Sequence, residues 1–170
     1  LLVAPASLLA NWAEEAERFS PGLRLLIAHP SELPAAELQA LDAERLSRID
    51  LVITTYGTLP RLPSLEGVQW RVAVLDEAQA IKNTLTKRSQ AAMSLKADFR
   101  MILTGTPIEN HLGALWNLFQ FINPGLLGSL ESFQQRFSGP IERDRCPETP
   151  RRLKKLIQPF LLRRTKEEVL

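Results

Sequence analysis

Val72-Ala73-Val74-Leu75-Asp76-Glu77-Ala78-Gln79 is an apolar run that stops abruptly on two adjacent acids. Four consecutive apolar residues suit a strand buried on both faces, which is how strands of a parallel sheet read. In open parallel sheets ligands bind beyond the carboxyl ends of the strands, so an acid pair at this point stands at the chemically useful edge. There Asp76 can hold Mg²⁺, usually through water, while Glu77 orients and deprotonates an attacking water in phosphoryl transfer. The competing structural reading is an Asp that ends a strand and caps the next helix.

Outward from this run, short β-rich segments alternate with helical periods. Residues 1–4, 23–28, 51–55, 71–75 and 100–103 read as strands. Residues 8–19, 35–46, 86–95 and 112–122 read as helices, with Ser7 as the N-cap of the first and Leu8, Leu9, Trp12, Ala16 and Phe19 as its inward stripe. In the last, Leu115, Trp116, Leu118, Phe119 and Ile122 are expected to pack inward. The alternation predicts an α/β fold: a parallel sheet flanked by helices, over residues 1–123. After Asn123-Pro124-Gly125 the pattern changes to short helical pieces broken by Gly128, Gly139-Pro140, Pro147 and Pro150. Residues 124–170 are therefore expected to form a C-terminal helical protrusion, with 151–158 a helix and 161–170 the start of a longer element.

Composition bounds the function. With 170 residues, 45% apolar and 24% charged, the chain suits a globular domain rather than a disordered or fibrous one. One cysteine, Cys146, cannot close an intrachain disulfide, and His29 and His111 alone cannot build a zinc site. No apolar stretch reaches the roughly 18 residues of a membrane span, and the N-terminus carries no basic signal-like region. An intracellular, cytoplasmic protein without membrane contact is expected, and Arg-, Leu- and Ala-rich composition points to a high-GC bacterial source. The net charge of +2 is unevenly spread: residues 143–170 carry 9 basic against 4 acidic side chains. Such a block suits a phosphate backbone or a protein partner, or simply a solvated face.

Three further clusters sit at strand ends. Met101-Ile102-Leu103-Thr104-Gly105-Thr106-Pro107 ends a strand in two hydroxyls around a glycine; these can bond a carboxylate or water beside the acid pair. Asp50-Leu51-Val52-Ile53-Thr54-Thr55-Tyr56 and Leu2-Val3-Ala4-Pro5-Ala6-Ser7, leading to Asn11-Trp12, put small hydroxyl residues where helix N-terminal amides can hold phosphate oxygens. Ser7 as a cap and Tyr56 as a packed aromatic explain the same residues without a ligand.

In this order the clusters resemble the motor core of superfamily-two helicases, and in detail the Swi/Snf-like family of double-stranded DNA translocases. Leu2-Val3-Ala4-Pro5 with Asn11-Trp12 is similar to the family's motif Ia, Leu51–Tyr56 to motif Ib, Asp76-Glu77-Ala78-Gln79 to motif II as a DEAQ box, and residues 103–110 to motif III. Ala80-Ile81-Lys82-Asn83, Leu115–Phe119 through Gly125, and Pro159–Lys166 carry the likeness further. The resemblance implies a first RecA-like lobe in which Asp76 and Glu77 serve Mg²⁺ and ATP, Asp76 being the metal carboxylate. It implies that Gln79, which stands where many members have histidine, links nucleotide to a second RecA-like lobe, and that Thr104 and Thr106 couple hydrolysis to movement. Ser7, Asn11, Thr54, Thr55, Lys82 and Asn83 are implied to lie toward the DNA phosphates. Arg163 and Arg164 are implied to begin the connection between the lobes.

The chain contains no G-x-x-x-x-G-K-[ST] run, so the loop that cradles β- and γ-phosphates is expected upstream of Leu1, in a longer parent. Alone, the 170 residues are expected not to hydrolyse ATP. Two other readings remain at this point: a non-enzymatic DNA- or protein-binding module that uses the basic end, and an RNA helicase of the same superfamily.

Overall fold

A computed structural model describes residues 1–105, 112–144 and 147–169. The chain divides into two compact units, Leu1–Leu126 and Leu127–Leu170.

The first unit is built on five parallel strands: β1 (Leu2–Ala4), β2 (Leu25–Ile27), β3 (Leu51–Thr55), β4 (Gln69–Leu75) and β5 (Lys96–Ile102), in the spatial order β2-β3-β1-β4-β5. Strand residues point alternately to the two faces. Leu2, Ile53 and Val74, which are in register, share one face with Leu25 and Ile27, and helix α1 (Leu9–Phe19) covers it through Leu9 and Trp12. The opposite face carries Val3, Val52, Ala73 and Leu75 and meets a larger core that includes Leu59, Leu62, Leu65, Ile81, Ala92, Leu118 and Phe121. Helices α5 (Lys87–Ser94) and α6 (Leu112–Ile122) contribute to that core. Two short helices, α2 (Ala35–Gln39) and α3 (Ala43–Ser47), lie between β2 and β3, and α4 (Pro63–Glu66) precedes β4.

Strand order places a switch point beside β4. The chain leaves β1 toward β2 on one flank and leaves β4 toward β5 on the other, so the direction of winding reverses between neighbouring strands β1 and β4. A crevice opens at such a place beyond the strand carboxyl ends. The acid pair follows β4 directly.

Several local expectations change. Ser7 is not an N-cap: it lies exposed in a 3-10 turn, Ala6–Leu8, and α1 begins only at Leu9 without a side-chain cap. Phe19 is 71% exposed rather than inward, with the Arg18 guanidinium 5.1 Å from its ring centroid. The helix expected over 35–46 is two helices, because Asp42 adopts an extended conformation (φ −132°) and caps α3 by accepting from the Arg45 N–H at 2.8 Å. β5 starts four residues earlier than expected. Its first half, Lys96-Ala97-Asp98-Phe99-Arg100, alternates polar and apolar because this is an edge strand, and it pairs along the whole of β4 from Gln69↔Lys96 to Leu75↔Ile102. On the α1 side of that edge, Val72 and its partner Phe99 remain exposed, as does Met101. In α6, Trp116 and Ile122 are only half-buried, while Asn117 and Phe121 are buried.

The second unit contains α7 (Leu130–Phe133), capped by Ser129, then π-type turns over Gln134–Ser138 and Pro140–Asp144, α8 (Glu148–Ile157) and the short α9 (Lys166–Val169). Phe133 and Phe137 pack with ring centroids 5.5 Å apart. Pro150 does not break the chain: it sits in the first turn of α8, where a missing N–H costs nothing. Among the described residues no helix is long and apolar enough to cross a membrane.

Candidate functional site

Every polar group of Asp76 is held. Its N–H donates to the Val3 carbonyl on β1 at 2.8 Å, and its carbonyl accepts from the Tyr56 hydroxyl at 2.5 Å. Its Oδ1 accepts from the Glu77 N–H at 2.9 Å and its Oδ2 from the Trp12 indole N–H at 2.8 Å. Three segments remote in sequence (β1, the turn after β3, and α1) thus converge on the residue that follows β4.

Glu77 then turns the chain. It is the one non-glycine residue with positive φ among the described residues (φ 48°, ψ 52°), in the left-handed region. That conformation costs an L-residue roughly 1–2 kcal/mol and persists only where neighbours enforce it. The enforcement is visible: Leu103 N–H donates to the Leu75 carbonyl and Ala78 N–H to the Leu103 carbonyl, fixing the backbone on both sides of Glu77. The following 3-10 segment, Ala78–Ile81, is anchored at the Ile81 carbonyl by the Ser89 hydroxyl at 3.0 Å and by the buried Asn117 amide.

The turn brings three side chains into line. Gln79 donates through Nε2 to Glu77 Oε2 and accepts through Oε1 from the Thr104 hydroxyl at 3.0 Å. One amide therefore joins the second acid to the end of β5. All of these groups are half-buried, within reach of solvent at the sheet edge. Thr106 lies outside the described residues, as do Ile108, Glu109 and Asn110.

The sites implied toward DNA divide differently. Ser7, Asn11, Lys82 and Asn83 are exposed. Thr54 and Thr55 are buried, and their hydroxyls are committed internally, Thr54 to the Ala28 carbonyl and Thr55 to the Thr58 hydroxyl, at 2.8 and 2.9 Å. A buried hydroxyl that already donates has no surface to offer a phosphate, so Thr54 is a structural residue here; Thr55 only borders the adjoining cleft. That cleft measures about 460 Å³ and is lined by Pro5, Ala6, His29, Pro30, Thr55, Tyr56, Gly57, Thr58, Arg61, Ala80 and Arg88. The two arginines are exposed, and neither forms an ion pair among the described residues.

Sequence reasoning missed Arg61, Arg88 and His29, which lie far apart in the chain. It read Trp12 and Tyr56 chiefly as packing residues. Their signal was the polar end of each ring, which seeks a partner when buried.

Five parallel strands flanked by helices, with an acid pair at the switch point, form a RecA-like lobe. The SNF2-related domain model matches residues 1–170, and the chain belongs to that family. It is 42% identical over 169 residues to the putative ATP-dependent helicase/translocase YwqA of Bacillus subtilis, covering 99% of this chain and 18% of that protein. It is 35% identical over 182 residues to the TATA-binding protein-associated factor MOT1 of Saccharomyces cerevisiae, covering all of this chain and 10% of that one. The solved SWI2/SNF2 ATPase core of Sulfolobus solfataricus in complex with dsDNA superposes with a TM-score of 0.86 at 41% identity, over 97% of this chain and 33% of that chain.

Two outcomes test this geometry. Tyr56 is the single tyrosine, so phenolate absorbance reports it alone. Burial, and then the charges of Asp76 and Glu77, push its pKa far above the ordinary 10.0. A spectrophotometric titration of the folded chain shows no phenolate at pH 10. Because the folded form keeps the proton, this contribution to stability is complete below pH 10 and is lost as pH rises beyond it. At position 77, Glu77→Gly is more stable to urea than Glu77→Ala by about 1 kcal/mol, the reverse of the helical order, because only glycine relieves the positive φ. Equal stability of the two variants would remove the claim of strain.

Proposed function

We propose that this chain is part of the first motor lobe of a longer ATP-driven translocase that moves along double-stranded DNA. The convergence on Asp76 is the observation that carries the reading. Each carboxylate oxygen accepts one hydrogen bond and keeps a second lone-pair direction, which suits a hard cation bound by few protein ligands. No group of three or more His, Cys, Asp or Glu side chains among the described residues could hold a metal alone. Mg²⁺ typically takes one or two carboxylates and completes its shell with nucleotide phosphates and water. Asp76 would hold Mg²⁺ there, and the ion would supply neutralising charge to the phosphates of a nucleotide.

The roles of the chain's own residues follow. Asp76 holds the metal, usually through water. Glu77, swung out by its left-handed backbone, orients the attacking water and takes its proton. Gln79 occupies one lone pair of Glu77 and reads the position of Thr104, so a shift of the β5 end alters how Glu77 meets water. In this reading Thr104, with Thr106, passes that shift on as movement. The phosphate-cradling loop and a second RecA-like lobe belong to the parent, and the uncovered row of Val72, Phe99 and Met101 offers an apolar seat for more of it. This chain alone does not hydrolyse ATP.

Duplex DNA lies along the cleft flanked by Arg61 and Arg88, with Ser7, Asn11, Lys82 and Asn83 at the neighbouring surface. Its backbone is the only feature that such a charged, sequence-blind surface reads. A working place on intracellular DNA, the nucleoid in a bacterium, follows. A second role rests on α8, where Arg151, Arg152, Lys154 and Lys155 are all exposed, a basic face that suits a protein partner. Arg163 and Arg164, also exposed, lead toward the second lobe.

In the parent, duplex DNA accelerates ATP hydrolysis, and Glu77→Gln lowers kcat by about 100-fold or more while nucleotide still binds. Replacing Arg61 and Arg88 by alanine flattens the salt dependence of duplex binding, by about 0.9 in the log–log slope for each phosphate that is no longer neutralised. A parent whose hydrolysis ignores both duplex and Glu77→Gln contradicts the reading, as does one that prefers RNA.

A further inference from the structure

We infer that Trp12 is the positioning residue for the Asp76 carboxylate: its indole N–H fixes Oδ2 and thereby sets the affinity of the site for a divalent cation. The inference rests on the reading of Asp76 as the Mg²⁺ carboxylate and adds to it the device that aims the oxygen.

The geometry is direct. Trp12 Nε1 donates to Asp76 Oδ2 at 2.8 Å, across 64 residues of sequence. The other oxygen, Oδ1, is held by the Glu77 N–H at 2.9 Å. With one donor on each oxygen, rotation of the carboxylate about its Cβ–Cγ bond is stopped at both ends. The choice of side chain matters chemically. An indole N–H donates and cannot accept, carries no charge and cannot ligate a metal, so it orients the carboxylate without competing for the cation or neutralising the acid. A lysine or arginine at position 12 would repel the cation, and a carboxamide could turn its oxygen toward it.

Trp12 itself is firmly placed. It is half-buried on the inner side of α1 and packs with the cluster of Leu2, Leu9 and Ile53. The ring is anchored by its apolar body while its polar edge faces the site, the division of labour for which tryptophan suits a partly wet boundary. Partners that orient a metal's ligands commonly alter metal affinity by 10- to 100-fold when removed.

The test uses the full-length parent with Mn²⁺ as a spin probe in place of Mg²⁺, titrated in the presence of saturating ADP and read by electron paramagnetic resonance. Trp12→Phe, which keeps a ring and removes the N–H, weakens Mn²⁺ binding by about tenfold, with ADP affinity in excess EDTA unchanged. The concentration of Mg²⁺ needed for half-maximal ATP hydrolysis rises in parallel, and kcat recovers at saturating Mg²⁺. Should Trp12→Phe fail to fold, as judged by its melting curve, site-specific replacement of Trp12 by benzothienylalanine exchanges only the N–H for sulfur and carries the same expectation. Asp76→Asn is measured alongside. Loss of Mn²⁺ binding in Asp76→Asn with wild-type binding in the Trp12 variant overturns this inference and leaves the Asp76 reading standing. Unchanged Mn²⁺ binding in Asp76→Asn overturns the reading beneath it. A lower melting temperature with unchanged Mn²⁺ affinity makes Trp12 a packing residue only, and that too overturns the inference.

Discussion

Four hydrogen bonds meet at Asp76, and the arrangement of the first unit follows from how they are supplied. Two come from the backbone, through β1 and through the next residue, and two from aromatic side chains whose polar ends reach across the sheet edge. For the Val3 carbonyl to be available, β1 must lie beside β4. For Trp12 to reach Oδ2, α1 must cover the face of Leu2 and Ile53; for Tyr56 to reach the carbonyl, β3 must end level with β1. The strand order β2-β3-β1-β4-β5 meets all three demands.

The same constraint explains why a strained residue survives next door. An L-residue leaves the left-handed region readily unless both flanking peptides are tied; here Tyr56 holds the Asp76 carbonyl and the Leu103 carbonyl holds the Ala78 N–H. What the strain achieves is direction. Glu77 leaves the line of β4 and faces Gln79, whose amide in turn accepts from Thr104. A carboxylate in ordinary strand geometry would point into one of the two cores. Rigidity around Asp76 and a turned Glu77 are thus two consequences of one anchored strand end, and they give the two acids different surroundings.

Much of this was legible in the sequence, for reasons that differ from element to element. β1 and β3 were readable because each is a short apolar run buried on both faces and closed by a turn, and β4 because its second half, Val72–Leu75, is apolar although Val72 itself stays exposed. β5 was half missed because an edge strand alternates polar and apolar residues, and Lys96-Ala97-Asp98 looks like a loop until β4 is placed beside it. The α2–α3 break was hidden because Asp42 fits a helical period as well as it fits a cap. At the site, acids and hydroxyls at strand ends were visible as chemistry. Which hydroxyls are spent inside was not, since Thr54 and Thr55 read as surface donors until their partners are known. Arg61, Arg88 and His29 meet only through the fold, and no spacing rule joins them.

In the proposed function Asp76 is held ready for a metal whose shell the nucleotide completes. A crystal structure of the full-length parent with Mg²⁺ and a non-hydrolysable ATP analogue tests it most directly. The expected result is Asp76 in or one water removed from the Mg²⁺ shell, still bonded to Trp12, with Glu77 facing the water in line with the γ-phosphate. A cation held by other residues, with Asp76 remote from the nucleotide, would contradict it.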